Sequence, residues 1–355
     1  MNHQTPNSTV KIGERLVGKG FPVFIVAEIG INHNGDMDLA CRMIDAAKEA
    51  GADSVKFQNY LTEDFLGDRS LMYTYESQGR QITESQFDMF KRYELNREQL
   101  FLLNNYCKKR GVHFFSTPTG KETLEDLIAT GCNLLKNGSD FLVNLPLIRR
   151  MASSGIPTVL STGMSTISEI DDAVQAFNDA GGKELILLHC TSSYPTPAED
   201  VNLSRIQTIR EAFGVPVGFS DHSWGATAAI GSVIFGACFI EKHFTTDKNL
   251  PGPDHRFSSD PDEFYQLVKG VREMEKNIGN SVIGPTESEK FGRKNFRLSL
   301  VARVDLPSGH TITEEDIAFH RPSTGISPRF YDYLPGKKLL KSLHAGEQFT
   351  LENLS

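Results

Sequence analysis

Two histidines lie where short apolar runs of the sequence end. His222 follows the run VPVGF, and His243 lies near the end of the run ACFIEKHF. Two neutral imidazoles on neighbouring strands can bind Zn²⁺, Mn²⁺ or Fe²⁺ and leave positions for water and a substrate oxygen. The pair therefore predicts a metal site that polarises a carbonyl group. In the alternative, each imidazole only hydrogen-bonds to its neighbours. Asp221 is either a further ligand or a residue that orients His222.

Basic and hydroxyl side chains end the other apolar runs. The two lysines are Lys56 and Lys136, and the hydroxyl residues are Thr117, Ser139, Ser161 and Ser220. Ammonium and hydroxyl donors around one opening can share a phosphate and a carboxylate, so this set predicts a small anion with several charges as ligand. Two alternatives remain open. A lysine can simply pair with a neighbouring carboxylate, or a desolvated lysine can form a Schiff base with a carbonyl substrate.

Two carboxylates complete the candidate chemistry. Glu28 ends the first apolar run, and beside lysines and a metal it would be a general base or would orient a water molecule. A structural carboxylate that balances Lys56 is the alternative. Asp254 lies in the segment NLPGPDHRFSSDP, where two prolines and a glycine stiffen the chain. This loop either holds Asp254 over the pocket or is a plain turn.

Short apolar runs alternate with longer amphipathic runs, which is typical of βα units in a parallel sheet. The sequence predicts strands over 23–29, 54–58, 113–117, 134–137, 158–162, 185–190, 216–220 and 237–244. Glycines in the segments AGAD, KRGV, ATGC and SSGI predict left-handed helix ends. Eight such units favour an α/β fold, a (β/α)₈ TIM barrel with its chemistry at the carboxyl ends of the strands. An open doubly wound sheet is the alternative, although no glycine-rich dinucleotide turn follows the first strand.

The pattern of the sequence changes after the eighth unit. We expect a barrel domain over 1–280, a polar linker over 281–296 and a small, mostly β domain over 297–355. The segment 61–95 is too long for an average loop between a strand and a helix, and it is rich in charged and aromatic residues. It is either a loop that covers the substrate or a solvated excursion.

Composition limits the partners and the compartment. The 355 residues carry a formal net charge of −8 at pH 7, which argues against nucleic acid or an anionic membrane as the main partner. Five scattered cysteines without C-x-x-C spacing indicate neither a disulfide framework nor a zinc knuckle. The first twenty residues lack an apolar signal core, and the longest apolar run is too short to span a bilayer. We expect a cytoplasmic protein without a membrane partner.

Several segments, taken in order along nearly the whole chain, resemble one family. They are FIVAEIGINHNGD, AAKEAGADSVKFQ, FFSTP, VLSTGMS, LLHCTSSYPTP, GFSDHSWG, EKHFT, PGPDH and HRPSTGISP. Together they are similar to the N-acetylneuraminate (sialic acid) synthase family of nonulosonic acid synthases. The C-terminal segment is similar to the antifreeze-like (SAF) domain. A match over many ordered blocks is far more specific than any single motif.

The resemblance implies a reaction and a role for each candidate residue. Phosphoenolpyruvate would condense with the open-chain aldehyde of an N-acetylmannosamine-type hexose to give a nine-carbon 2-keto acid and phosphate. The implied phosphoenolpyruvate contacts are Lys56, Thr117, Lys136, Ser139, Ser161 and Ser220. Glu28 matches a carboxylate next to the reacting centre, and Gln58, Tyr194 and Asp254 match the sugar side.

The resemblance also implies a cofactor and an assembly. A divalent cation, Mn²⁺ or alternatively Mg²⁺ or Co²⁺, would be held by His222 and His243 and would polarise the aldehyde. Arg321, in the segment HRPSTG, matches a residue that the small domain places over the active site of the partner subunit. A homodimer with exchanged C-terminal domains is therefore implied.

The chain departs from the family pattern at two places. Where the family commonly has KIGSGE or KIGSGD, this chain has KNGSDF, so the acidic position falls on Phe141 and the carboxylate moves to Asp140. On a strand, a shift of one residue reverses the face, so we expect Asp140 to point away from the site. The family's asparagine in HCTNxYP is Ser192 here. Both changes allow another acceptor, a 2,4-diacetamido-2,4,6-trideoxyhexose, as in legionaminic or pseudaminic acid synthesis.

Two function classes compete with the synthase. A Schiff-base aldolase would use Lys56 or Lys136 without a metal, and borohydride would trap its pyruvate adduct. A non-catalytic carbohydrate-binding homologue would keep the barrel and the SAF-like domain without turnover, and Phe141 is the residue that favours it. The intact set of lysines, histidines and Glu28 favours an enzyme.

Overall fold

The computed structural model describes residues 8–355, so the first seven residues of the predicted barrel domain lie outside the described residues. The described chain forms two compact units, one ending at Gly279 and one over Asn280–Ser355. None of the helices in residues 8–355 is both long enough and apolar enough to cross a membrane.

Eight parallel strands form the barrel that the sequence predicts. The strands of the first unit are β1 (Thr9–Ile12), β2 (Arg15–Gly18), β3 (Phe24–Gly30), β4 (Ser54–Asn59), β5 (Met72–Ser77), β6 (Arg80–Ser85), β7 (His113–Pro118), β8 (Leu135–Asn137), β9 (Thr158–Ser161), β10 (Leu185–Cys190), β11 (Val217–Asp221) and β12 (Phe239–His243). The barrel order is β7-β4-β3-β12-β11-β10-β9-β8, and β7 lies beside β8. Each barrel strand begins and ends within two residues of its predicted bounds, so the TIM-barrel prediction is confirmed.

Helices of the first unit surround the barrel and cover the outer faces of its strands, except α2 and α3, which belong to the insertion over 61–95. They are α1 (Met37–Glu49), α2 (Thr62–Phe65), α3 (Gln86–Tyr93), α4 (Arg97–Arg110), α5 (Lys121–Ala129), α6 (Leu145–Ser153), α7 (Ile167–Asp179), α8 (Arg205–Phe213), α9 (Thr227–Ser232) and α10 (Pro261–Ile278). Helix α4 shows how the sequence sets the ends: Asn96 and Gln99 form a capping box, and Gly111 ends the helix at φ 66°. The left-handed helix ends predicted from glycine are therefore present.

An N-terminal hairpin, formed by β1 and β2, was not predicted from the sequence. Its Val10, Ile12 and Val17 are fully buried. They belong to the same apolar cluster as Phe24 and Phe115 on barrel strands. The hairpin therefore contributes to the core that fills the barrel interior.

The insertion over 61–95 is folded, although its hairpin is mostly exposed. It consists of α2, the antiparallel hairpin of β5 and β6, and α3. Phe65, Phe90 and Met89 pack together with Tyr60, the residue directly after β4. This packing gives the insertion an apolar inner side.

The second unit contains a short helix, α11 (Lys290–Asn295), and the antiparallel strands β13 (Ser299–Ala302) and β14 (Ile317–His320). Leu300, Ile312, Ile317, Leu339 and Phe349 form its apolar core. Isolated bridges and 3₁₀ turns connect the rest. The helix α11 lies in the segment expected to be a linker, and the remainder is β-rich as predicted.

Candidate active site

A cavity of about 600 Å³ lies at the carboxyl ends of the barrel strands. The site residues predicted on the barrel all line it: Glu28, Lys56, Gln58, Thr117, Lys136, Ser139, Ser161, Ser192, Tyr194, Ser220, His222, His243 and Asp254. Arg321 belongs to the second unit, where its guanidinium lies 5.7 Å from the Phe296 ring. The fold thus brings the predicted barrel residues to one space.

Two buried lysines and two buried carboxylates form the charged centre of the cavity. Lys136 Nζ lies 3.0 Å from Glu241 Oε1. Lys56 Nζ lies 3.0 Å from Glu28 Oε1 and 3.6 Å from Glu241 Oε2. Ser220 Oγ donates to Glu241 Oε1 at 2.9 Å. An ammonium group has three donors, so Lys136, whose two hydrogen bonds both go to Glu241, retains one for an anion.

Burial and neighbouring charges set the ionisation of these groups. Burial raises the pKa of Glu28 to about 7, although the Lys56 ammonium opposes the rise. Burial acts in the same direction on Glu241, but Lys136 and Lys56 outweigh it and lower the pKa of Glu241 to about 2. At neutral pH, Glu241 is therefore the ionised partner of the lysines, and Glu28 can accept or release a proton.

Hydroxyl groups surround the lysines. Lys56 donates to Thr117 Oγ1 at 3.2 Å, and the Gly163 backbone donates to Ser139 Oγ at 3.0 Å. A side chain at position 163 would overlap the Oγ atoms of both Ser139 and Ser192. Gly163 therefore allows these two hydroxyls to approach the loop after β9.

His222 is held with one ring nitrogen facing the backbone. Its Nδ1 lies 2.9 Å from Thr191 O and 3.7 Å from Cys190 Sγ, and its own carbonyl accepts from Thr196 N at 2.9 Å. Tyr194 packs on the ring with the centroids 4.2 Å apart. If Nδ1 donates to Thr191 O, then Nε2 carries the lone pair that binds a metal.

His243 lies beside His222 and carries an unsatisfied nitrogen. The two ring centroids are 5.4 Å apart. His243 Nδ1 is buried and has no hydrogen-bond partner among residues 8–355, although Asp254 Oδ2 lies 3.8 Å away. Burial and the His222 charge hold the pKa of His243 well below its usual value, so the ring is neutral. The loop 249–261 therefore holds Asp254 at the site.

Within the described chain, no group of three or more His, Cys, Asp or Glu side chains could hold a metal ion.

Asp221 makes no hydrogen bond to the His222 ring, whose Nδ1 faces Thr191 O and Cys190 Sγ instead. Its Oδ2 accepts from Lys242 Nζ at 2.9 Å, and its Oδ1 accepts from Ser223 N at 2.8 Å. Successive residues of a strand point to opposite faces. Ser220 on β11 faces the cavity, so Asp221 faces outward and cannot be a metal ligand there.

Asp140 does not point away from the site, so the expectation drawn from the segment KNGSDF is wrong. Ser139–Phe141 form a 3₁₀ turn after β8 and not a continuation of the strand, so the rule of alternating faces does not apply. Asp140 and Phe141 both line the cavity. The Phe141 ring lies 6.2 Å from that of Phe65, edge to face.

An aromatic wall extends from Phe141 along the cavity. Phe65 lies 5.3 Å from Phe90 and 5.6 Å from Tyr60, measured between ring centroids. Ile31, Met89 and Tyr73 also line this part of the cavity. We define the wall as Ile31, Tyr60, Phe65, Met89, Phe90 and Phe141, which together give the cavity an apolar lining beside its charged groups.

Glu241 is the main functional residue that sequence reasoning left without a role. It bridges Lys56, Lys136 and Ser220. The signal was present: Glu241 precedes His243 by two residues on one strand, and residues two apart share a face. The aromatic wall was also missed, because half of it, Phe65, Met89 and Phe90, comes from the insertion.

Comparison with known proteins agrees with this architecture. An uncharacterised protein of Methanocaldococcus jannaschii is 42% identical over 93% of this chain and 94% of its own length. The N,N'-diacetyllegionaminic acid synthase of Legionella pneumophila is 38% identical over 95% of this chain and 96% of its own. The crystal structure of the N-acetylneuraminic acid (sialic acid) synthetase of Leptospira borgpetersenii, in complex with citrate, superposes with a TM-score of 0.72 at 36% identity, covering 80% of this chain and 94% of that one. Residues 297–355 match the SAF domain. Residues 43–283 match the NeuB family, and the chain belongs to that family.

Proposed function

We propose that this protein condenses phosphoenolpyruvate with the open-chain aldehyde of an N-acyl hexosamine to give a nine-carbon 2-keto acid and inorganic phosphate. The observation that carries the proposal is the presence of the lysine pair and the histidine pair in one cavity. The Legionella and Leptospira relatives are named as synthases of a legionaminic acid and of N-acetylneuraminic acid, which supports a reaction of the same class here.

The lysine end is the proposed phosphoenolpyruvate site. Lys136 and Lys56 bind the phosphate and the carboxylate, and the hydroxyls of Thr117, Ser139, Ser161 and Ser220 add donors. C3 of the enol attacks the aldehyde carbon, the aldehyde oxygen takes a proton from solvent and becomes a hydroxyl, and positive charge builds at C2. The ionised Glu241, between the two lysines, stabilises that charge. Water then adds at C2, and phosphate leaves by cleavage of the bond between C2 and oxygen.

Glu28 is the proposed acceptor of the proton from this water. Its Oε1 is engaged by Lys56 and by Gln58 at 3.0 Å. Its Oε2 is buried without a partner among the described residues. A pKa of about 7 lets it take a proton near neutral pH and release it afterwards.

The two histidines fit a divalent cation. The hydrogen bond from His222 Nδ1 to Thr191 O frees Nε2, and His243 presents a buried nitrogen without a partner in residues 8–355. We assign Mn²⁺, with Mg²⁺ or Co²⁺ as alternatives, because two imidazoles completed by water and substrate oxygens suit such ions. When bound, the ion polarises the aldehyde carbonyl. Asp254 and Tyr194 then lie next to the sugar.

The aromatic wall selects the acceptor. A sugar hydroxyl placed against it would lose its hydrogen bonds to water and gain none, whereas methyl groups would bury apolar area. N-acetylmannosamine has hydroxyls at C4 and C6, but a 2,4-diacetamido-2,4,6-trideoxyhexose presents an acetamido methyl and a C6 methyl. Asp140, beside Phe141, can accept from an amide N–H. The wall therefore favours the trideoxy sugar, consistent with the name of the Legionella relative.

Phosphate release in the presence of phosphoenolpyruvate and Mn²⁺ tests the proposal. We expect the trideoxy sugar to exceed N-acetylmannosamine in kcat/KM by about 10–100-fold. Phe141→Gln should remove most of that ratio with little change in the KM for phosphoenolpyruvate, and Phe141→Leu, which stays apolar, is the matched control. Absence of phosphate with every sugar would refute the reaction. Faster turnover of N-acetylmannosamine would refute the acceptor, and turnover unaffected by a chelator would refute the metal.

We also propose a homodimer in which the partner subunit's Arg321 covers this site. The sequence resemblance of HRPSTG supports it, and mixing two inactive variants tests it. In a mixture of His222→Ala and Arg321→Ala, the heterodimer combines an intact His222 with an intact Arg321 from the other subunit. About a quarter of wild-type activity should return after exchange of subunits. No recovery, with exchange demonstrated, would place Arg321 at its own subunit's site, and an Arg321→Ala variant that is active by itself would place it outside any site.

The cytoplasm is the proposed compartment. All five cysteines are free, and four of them are buried thiols. Buried thiols without disulfide partners suit a reducing environment. Fractionation of cells that express the protein would test this, and recovery with an oxidised extracytoplasmic fraction would refute it.

A further inference from the structure

A buried ion pair lies on the outer face of the barrel wall, directly behind the two histidines. Lys242 Nζ lies 2.9 Å from Asp221 Oδ2, and the two side chains are 1% and 0% exposed. Lys242 also donates to the Ser223 carbonyl, and Asp221 Oδ1 accepts from Ser223 Oγ at 2.7 Å. We call Asp221, Lys242 and Ser223 the clamp.

The position of the clamp relates it to both histidines at once. Asp221 and Lys242 are register partners on the adjacent strands β11 and β12. His222 directly follows Asp221, and His243 directly follows Lys242. Ser223, on the far side of His222, is held by both clamp side chains. The clamp therefore fixes the chain on both sides of His222 and ties it to the residue before His243.

Burial of two charges is costly, so the clamp needs a reason other than stability. A well-packed apolar pair of similar volume usually stabilises a protein as much as a buried ion pair, or more. Ile240, which shares the outer face of β12 with Lys242, is such an apolar residue and is fully buried. Ionic contacts, unlike apolar ones, specify one geometry through directed hydrogen bonds.

We infer that Asp221 and Lys242 are positioning residues that set the separation and the orientation of the His222 and His243 imidazoles for a divalent cation. This inference rests on the proposed metal site. Neither residue touches the substrate, because both face away from the cavity. Loss of the clamp lets the turn over 221–223 relax, which disorders the metal ligands. Lys56, Thr117 and Lys136 lie on other strands and stay in place, and Ser220 and Glu241, on the same two strands, keep their contacts with each other and with the lysines.

The test is the Mn²⁺ dissociation constant, measured from the electron paramagnetic resonance of free Mn²⁺ and independently from the rise in melting temperature on Mn²⁺ addition. The decisive variant is Asp221→Asn combined with Lys242→Met, which removes both charges and keeps an oxygen acceptor for Ser223 N. We expect it to fold and to bind Mn²⁺ about 10–100-fold more weakly. The KM for phosphoenolpyruvate at saturating Mn²⁺ should change less than about threefold. Lys242→Met alone leaves the carboxylate of Asp221 buried without a partner and is expected to be less stable. The test of the inference is therefore made on the double variant.

The control is Arg272→Met, which removes an ion pair in the same unit that contacts neither His222 nor His243. Arg272 bonds Asp53 at 3.1 Å and the Val23 carbonyl at 2.8 Å, at the amino ends of the strands. It should leave Mn²⁺ affinity unchanged. A folded double variant whose Mn²⁺ affinity is within twofold of wild type would overturn the inference. His222→Ala separates this from failure of the metal site: if His222→Ala also binds Mn²⁺ normally, the metal proposal itself is wrong.

Discussion

Replacement of Glu28 by glutamine should make the protein more stable at alkaline pH than at acid pH, relative to wild type. Burial raises the pKa of Glu28 from 4.5 to about 7. The folded protein therefore binds this proton more tightly than the unfolded chain does. As pH rises above 4.5, the unfolded chain loses the proton first, and folding is penalised by a growing amount until the folded carboxyl also ionises near pH 7. Glutamine carries no such proton, so Glu28→Gln removes the penalty.

The size of the effect follows from the two pKa values. Their difference, at about 1.4 kcal/mol per pH unit, corresponds to about 3 kcal/mol at pH 8. At pH 5 the unfolded carboxyl is mostly ionised and the folded one is still protonated, but pH 5 lies only half a unit above 4.5, so the penalty is below about 1 kcal/mol. The loss of the ion pair to Lys56 is offset in part because Lys56 also lies near Glu241. The stability of Glu28→Gln relative to wild type should therefore improve by about 2 kcal/mol between pH 5 and pH 8.

Urea unfolding of both proteins at pH 5, 6, 7 and 8 measures this difference. The matched control is Glu14→Gln, at a side chain that is 96% exposed. This control should differ from wild type by less than about 0.5 kcal/mol at every pH. A difference between Glu28→Gln and wild type that stays constant with pH would refute the assignment of a raised pKa. The proposed role of Glu28 as proton acceptor would then lose its electrostatic support. The catalytic role is tested separately by the pH dependence of the rate. We expect the rate of phosphate release by wild type to decrease below pH 7, over a range in which urea unfolding shows no loss of stability.

Three further outcomes are expected. Asn137 is fully buried, and both of its side-chain polar atoms lack partners in the described chain. Asn137→Leu should therefore raise the free energy of unfolding, measured in urea, by about 1–2 kcal/mol. A decrease would mean that a buried water molecule hydrogen-bonds to the amide. Ile12→Ala in the N-terminal hairpin should lower it by about 2–4 kcal/mol, and a loss under 1 kcal/mol would show that the hairpin is dispensable. Lys136→Met should lower the rate of phosphate release at least a hundredfold. Treatment of wild type with pyruvate and borohydride should trap no covalent adduct, and a trapped adduct would favour the Schiff-base aldolase.

Local sequence signals sufficed for the barrel because its strands are buried on both faces. Such strands consist of apolar runs with turn signals at their ends, as in LILLHC over 185–190. Glycines such as Gly111 fixed the helix ends. The N-terminal hairpin was missed because Val10, Ile12 and Val17 find their partners on distant strands of the barrel. A short alternating segment does not say which surface it will cover.

The insertion and the turn after β8 were harder to predict for a related reason. The sequence over 61–95 identified an unusual segment, but the contact of Phe65 with Phe141 depends on tertiary packing. Likewise, the residues KNGSDF do not reveal where β8 ends. The strand stops at Asn137 and a 3₁₀ turn follows, and this difference reverses the expected direction of Asp140.

The roles of Glu241 and Lys242 depend on strand register, which periodicity alone does not provide. In the parallel sheet, Ser220 pairs with Glu241 and Asp221 pairs with Lys242. The first pair faces the cavity and holds the lysines, and the second faces outward and forms the clamp. A slip of one residue would exchange the two faces of a strand and bury Asp221 among the substrate groups. The four residues Ser220, Asp221, Glu241 and Lys242 would then support neither a metal site nor an anion site. The chemistry of this barrel therefore requires the register in which Phe219 pairs with Ile240. The roles of the polar residues can be assigned only once that register is known.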